Sequence, residues 1–380
     1  MNGRELFEAI CAGECSERLP VFGIGAWGET RDRWHREGLQ PDVEFNVELG
    51  LVNPDQLALP LNLNMVPAFP IRVLDREDDH VTVVDEYGVT KKLLAAEFDR
   101  TGGRIGSAGL ANTMSHWIDF PVTDIASWKA IYAERFRPTL DGRWPEDWAA
   151  RRAQFIEDSR TRWVRNFGFP LFGTFGPLRQ LMGIEGLSYA MVDDPLLVRT
   201  IASDLAAFWV AAFDLALRQG VRLDQITFYE DMCGTRGPIL SPAAFEEFFG
   251  PAYRSTIAAL REMGVKQFFV DSDGHLDPMI PMLISCGITG ILPVQASAGM
   301  DVGMLRERYR DLNLHGGIDK RALAEGPGAI DAELERVFTV AWRRGRMTPH
   351  LDHAAPPDIS WANAQHYAER YVELCAAPPR

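Results

Sequence analysis

The chain has 380 residues, 46% hydrophobic and 24% charged, enough apolar material for a large core. A net charge of −14 and the lack of any basic cluster interleaved with aromatics exclude a nucleic-acid partner, and no run approaches the roughly 20 uninterrupted apolar residues of a membrane helix. Five scattered cysteines (Cys11, Cys15, Cys233, Cys286, Cys375) form no disulfide framework and predict a reducing, cytoplasmic setting, as does an N-terminus without an apolar leader.

In chain order, residues 21–24 predict a first strand. Trp27, Arg31, Trp34 and His35 follow it on a helix, where they can either line a pocket for a flat or anionic ligand or form the helix's aromatic inner face. Residues 71–94 alternate around Asp85-Glu86-Tyr87-Gly88 and predict a hairpin that decorates the main fold, with its turn at Tyr87-Gly88. The Pro-, Gly- and Trp-rich stretch 138–148 predicts a surface loop.

From residue 169 strand and helix alternate. Predicted strands lie at 169–175, 226–229, 267–270, 288–294, 312–315 and 347–350. Helices fall between them. Asp194-Pro195 and Ser241-Pro242 read as N-caps with proline at the first helical position, and Gly220, Gly264 and Gly287 read as stops. Such apolar runs suit strands buried on both faces of a parallel sheet. Six strands here, 21–24, and either 43–49 or 119–122 make eight. The economical fold is therefore α/β, a single-domain (β/α)8 TIM barrel over 1–380. The alternative is a doubly wound open sheet, weakened by the lack of a Gly-x-Gly-x-x-Gly turn.

A barrel gathers its chemistry at the C-terminal ends of its strands. Those positions are Glu230 and Asp231; Asp271 and Asp273; Gln295; His315 and Asp319; and His350, Asp352 and His353. Asp271-Ser272-Asp273-Gly274 places two carboxylates two apart, so an extended chain aims both one way. His350-Leu351-Asp352-His353 offers two imidazoles and a carboxylate between rigid prolines. The set suits either a metal site or a metal-free acid–base site. Nothing resembles a Ser–His–Asp elbow, a P-loop or a Cys-x-x-Cys pair.

Ser241-Pro242-x-x-Phe245, Asp271-x-Asp273-Gly274 with Pro278 and Pro281, Gly316-Gly317-Ile318-Asp319-Lys320 and Pro349-His350-x-Asp352-His353 resemble the uroporphyrinogen decarboxylase superfamily. Within it they look most like the branch of corrinoid-linked methyltransferases. That resemblance implies one (β/α)8 barrel with its site at the C-terminal mouth, and a homodimer. The arginine-bearing N-terminal motif with which true uroporphyrinogen decarboxylases hold substrate carboxylates is replaced here by Gly23-Ile24-Gly25-Ala26-Trp27-Gly28.

The methyltransferase branch binds zinc through a His-x-Cys pair and a late cysteine. Asp271-x-Asp273 and His350 stand at the matching places, so the resemblance implies a divalent metal, zinc, on Asp271, Asp273 and His350. Glu230, Asp273 and His353 are then the expected catalytic groups, and Trp27, Arg31, Trp34 and Gln295 the substrate pocket. The implied reaction moves a methyl group from a small methyl ether or methylamine to a corrinoid. A separate protein would carry that corrinoid, since no cobalamin-binding Asp-x-His-x-x-Gly segment is present. The alternatives are a metal-free decarboxylase or lyase acting on a tetrapyrrole or other carboxylated ring, and a binding protein that has lost catalysis.

Overall fold

The computed structural model describes residues 1–14, 16–104, 115–139, 141–167 and 171–379. Its centre is a seven-stranded parallel sheet: β1 (Gln56–Ala58), β2 (Trp163–Phe167), β3 (Gln225–Tyr229), β4 (Gln267–Asp271), β5 (Gly290–Val294), β6 (Asn313–Ile318) and β7 (Met347–Leu351). Spatial order equals chain order from β1 to β7, with no reversal. A doubly wound sheet requires a reversal at its switch point, so the open-sheet alternative does not describe this topology. Helices separate the successive strands from β2 onward, as parallel pairing demands.

Val164, Ile226, Phe228, Phe268, Val270, Ile291 and Leu314 are all nearly inaccessible, which is why these strands read as continuous apolar runs. The predicted strands from 226 onward coincide with β3 to β7 within two or three residues. The one predicted at 169–175 does not. The strand is β2, whose Arg165 and Asn166 break the apolar pattern, and residues 168–170 lie outside the described residues. Leu171 and Phe172 are instead buried in a turn that leads into the helix Phe175–Asp193.

Neither proposed eighth strand exists as such. Phe45–Glu48 is a short helix, and His116–Asp119 is an edge of a separate antiparallel sheet. Residues 21–24 form no ladder. They run extended past the end of β7, where Gly25 O accepts from Ala355 N at 2.8 Å and Ala26 forms a parallel bridge with Ala355. β1, missed in the sequence, takes an edge of the parallel sheet.

The antiparallel sheet comprises Arg72–Arg76, His80–Val84, Thr90–Leu94 and His116–Asp119, so the expected hairpin is the core of a four-stranded meander. Its turn is at Tyr87-Gly88, as expected. Gly88 has φ +80°, and the buried Asp85 carboxylate accepts from Tyr87 N and Val89 N at 2.9 and 3.0 Å. The 138–148 stretch is exposed at Pro138, Asp141 and Gly142 but anchored by buried Arg143, which donates to Asn62 O and Asn64 O at 3.0 and 2.8 Å.

The helix Pro195–Leu217 is long and apolar enough, by length and composition, to cross a membrane. Here Leu197, Ile201, Leu205, Phe208 and Phe213 bury its apolar face against the helices Gly250–Glu262 and Phe175–Asp193. Its predicted cap is present: Asp194 accepts from Leu197 N at 3.1 Å.

Candidate acid–base site

The chain leaves β3 through Glu230 and Asp231, whose backbone N–H groups both donate to Asp271 O, at 2.9 and 3.4 Å. Asp231 takes φ +44°, a left-handed conformation that non-glycine residues adopt only when their surroundings enforce it. The two neighbouring acids have different surroundings. Glu230 is fully buried and accepts from Thr174 N at 2.7 Å, Gly176 N at 2.6 Å and the Tyr253 hydroxyl. It holds the entry to the helix Phe175–Asp193. Burial pushes its pKa up to about 7, against the pull of those hydrogen bonds. Expected as a catalytic group, Glu230 is placed as a structural anchor, with both oxygens engaged and none reaching a mouth.

Asp231 is half-buried. It accepts from Tyr229 Oη at 2.8 Å and Arg179 Nη2 at 3.2 Å. Beside it Asp271, the last residue of β4, presents a carboxyl that makes no hydrogen bond among the described residues. Burial, then the charges of Asp231 and Asp273, drive the Asp271 pKa well above the usual carboxylate range, with His353 opposing. Ser272 turns inward, accepting from Met232 N at 3.0 Å.

Gly274, at φ +83°, ends the turn; a Cβ there would lie 2.5 Å from Gly234 O. Gln295, expected in the substrate pocket, braces this turn instead. Its Oε1 accepts from Gly274 N at 2.7 Å and its Nε2 donates to Ser297 Oγ at 3.0 Å. His275 is likewise tied to Ala298 O at 3.0 Å.

His353 completes the cluster from beyond β7. Its Nε2 lies 3.1 Å from Asp273 Oδ1 and its Nδ1 3.5 Å from Asp352 Oδ1. Burial disfavours the imidazolium, but the two carboxylates outweigh it and raise its pKa to about 9. Asp352 is buried, accepts from Lys320 N at 3.2 Å, and leaves Oδ2 without a partner.

The structure thus brings Asp271, Asp273 and His353 together, with Asp231, Tyr229 and Arg179 as additions. Asp231 stood among the strand-end residues; Arg179 lies in a helix that carries no recognisable motif.

His350 is elsewhere. Its Nδ1 lies 2.6 Å from Leu351 O and its Nε2 2.9 Å from Gly23 O, and its ring stacks on His315 at 5.0 Å beneath Phe22. Both ring nitrogens are therefore directed at backbone carbonyls. Among the described residues no three His, Cys, Asp or Glu side chains are placed to hold a metal ion. The donor set expected for zinc, Asp271, Asp273 and His350, does not fit it.

Of the expected pocket residues, Trp27 is half-buried with Lys320 Nζ 5.8 Å from its ring centroid, and Lys320 follows the strand end that meets Asp352. Arg31 is half-buried on the helix Gly28–Glu37. Trp34 is core: it is inaccessible, donates to Ile359 O at 3.0 Å and packs on Phe45 and Trp361. Trp34 thus belongs to the core, whereas Trp27, at the helix N-cap, stays partly accessible. Cys233 and Cys286 are buried with raised pKa values, as inert small residues are.

No protein-family model and no curated protein matches the chain. Among solved structures it is similar to a methyltransferase from Methanosarcina mazei, with a TM-score of 0.57 and 14% identity over 98% of this chain and 99% of that one. A putative vitamin-B12 independent methionine synthase from Listeria monocytogenes matches over 58% of this chain and 68% of that one, at a TM-score of 0.33 and 13% identity. The first of these establishes a shared α/β fold along essentially the whole length of both chains.

Proposed function

We propose that the chain is a methyltransferase of the uroporphyrinogen decarboxylase superfamily that protonates its leaving group with a carboxylic acid. On this reading residues 20–26 occupy the eighth place of a (β/α)8 barrel. The observation that carries the proposal is the Asp271 carboxyl: unpaired, at the C-terminal end of its strand, and crowded by Asp231 and Asp273. Crowding of this kind favours the protonated form, and a protonated carboxyl is a general acid. The near full-length likeness to a methyltransferase fold supports methyl transfer as the chemistry.

The donor is a small methyl ether or methylamine, and the acceptor a corrinoid carried by a separate protein. As the donor's C–O or C–N bond breaks, its oxygen or nitrogen keeps the bonding pair and takes the Asp271 proton, leaving Asp271 ionised. The His353 imidazolium, held beside Asp273, balances the new charge, and Asp271 takes back a proton from solvent. Trp27 and Arg31 wall the donor site, and Arg179 with Tyr229 holds Asp231 against Asp271. No step is assigned to a metal, because His350 lies apart from Asp271 and Asp273.

A second reading has a specific basis. An unpaired acid beside an imidazolium would equally protonate the carbanion left by decarboxylation, and it too needs no metal. Anaerobic incubation with a panel of methyl ethers and methylamines, using free cob(I)alamin as acceptor probe, separates the two. Formation of methylcobalamin that disappears in Asp271→Asn supports methyl transfer. Failure of every donor, with carbon dioxide released from carboxylated ring compounds instead, would overturn it in favour of the lyase.

A further inference from the structure

Arg165, in the middle of β2, sits opposite Gln225 of β3. It lines a cavity of about 20 Å³ inside the concave sheet, together with Phe22, Gln56, Gln225, Asn313 and His315. Among the described residues that line this cavity none is acidic, and Arg346 is a second cation there. Arg165 makes no hydrogen bond and no ion pair among the described residues, and the protein surrounds it so fully that burial alone lowers its pKa. A guanidinium still keeps its proton at neutral pH. The side chain is half-buried because part of it faces the cavity rather than packed atoms.

An isolated interior cation is strongly disfavoured unless something of opposite charge meets it. No neighbour carries that charge, and the Gln56 and Asn313 side-chain oxygens in the lining, buried and without a partner, are neutral acceptors only. His315 is neutral, its Nδ1 lying 2.8 Å from Thr348 Oγ1, with burial and then the His350 and Arg165 charges holding its pKa well down. Gln225 Oε1 is taken by Trp163 Nε1 at 3.1 Å.

The acids of the mouth are distant: Gln225 begins β3, whose last residue Tyr229 is the register partner of Asp271. Four residues of strand separate the two levels by about 13 Å. This cavity is a different place from the acid–base site.

We propose that the cavity is an anion site holding one monatomic anion of the halide class on the Arg165 guanidinium. The volume decides the class: about 20 Å³ admits one water-sized particle and is too small for an acetate or sulfate. The anion neutralises the interior of a protein whose surface is strongly acidic, so the site works against the overall field and depends on the local geometry. It requires nothing of the methyl-transfer reading.

Bromide is the probe. Crystals of the full chain soaked in sodium bromide are expected to show an anomalous peak within hydrogen-bonding distance of Arg165. In solution the unfolding midpoint should rise with chloride or bromide, relative to sodium acetate at the same ionic strength, and the rise should vanish in Arg165→Met. A cavity filled by water alone, with no anomalous peak, would overturn the proposal, as would an equal response to acetate. Should Arg165→Met fail to fold, the bromide peak in the unmodified protein decides the question.

Discussion

His353 Nε2 meets Asp273 Oδ1 at 3.1 Å although β5 and β6 lie between the strands that deliver them. In a flat sheet three strand spacings would hold those ends about 14 Å apart. The contact is a direct measure of how far the sheet curls, and it sets an imidazole beside the crowded Asp271 carboxyl. The raised pKa of that imidazole also gives the fold a pH dependence. The pair contributes fully below the ordinary imidazole pKa near 6.5. That contribution is lost as pH rises through about 9. Asp273→Asn should lower the His353 pKa towards the ordinary value, read by NMR titration of the ring, and reduce stability by about 1 kcal/mol for so partly exposed a pair. An unchanged His353 titration would remove Asp273 from this role.

Glu230 should behave as part of the scaffold. Its folded pKa of about 7 exceeds the ordinary value of 4.5, so folding binds the proton more tightly. Stability associated with it is present below the ordinary value and falls as pH rises through about 7. Glu230→Gln turns an amide N–H towards backbone donors and should destabilise by about 2 kcal/mol. Thermal unfolding between these two pH limits should also become flatter. If activity collapses at unchanged stability, Glu230 is catalytic after all.

The two tryptophans of the helix Gly28–Glu37 and its cap should separate cleanly. Trp34→Ala removes a ring packed between Phe45 and Trp361 and should destabilise by about 3–5 kcal/mol. Trp27→Ala, at the half-buried mouth, should leave the unfolding midpoint nearly unchanged and raise KM. Calorimetry and steady-state kinetics on both variants check this, and equal thermal losses would contradict it.

Much of this arrangement could be read from sequence, for identifiable reasons. Strands buried on both faces leave uninterrupted apolar runs, so β3 to β7 were visible. β2 was not, because Arg165 faces an interior cavity and a charged residue breaks the run. The turn residues Asp271, Asp273 and His353 announced themselves as acids and an imidazole at strand ends. His350 carried the same signal yet points under Phe22, because side chains alternate along a strand and the chain changes course at Asp352. Trp34 went to the core through its contact with Trp361, a partner 327 residues away (361 − 34), which no local pattern encodes. Arg179 came from a helix with no motif.

Burial between Asp231 and Asp273 favours the protonated form of Asp271, and the proposed acid chemistry depends on that proton being present at neutral pH. Infrared difference spectroscopy of the unmodified protein against Asp271→Asn at pH 7 tests it without any substrate. A protonated-carboxyl band is expected in the unmodified protein and not in the variant, with stability equal or greater in the variant because a crowded acid is removed. A difference spectrum showing only an ionised carboxylate at position 271 would contradict it, and the general acid would have to be sought at His353.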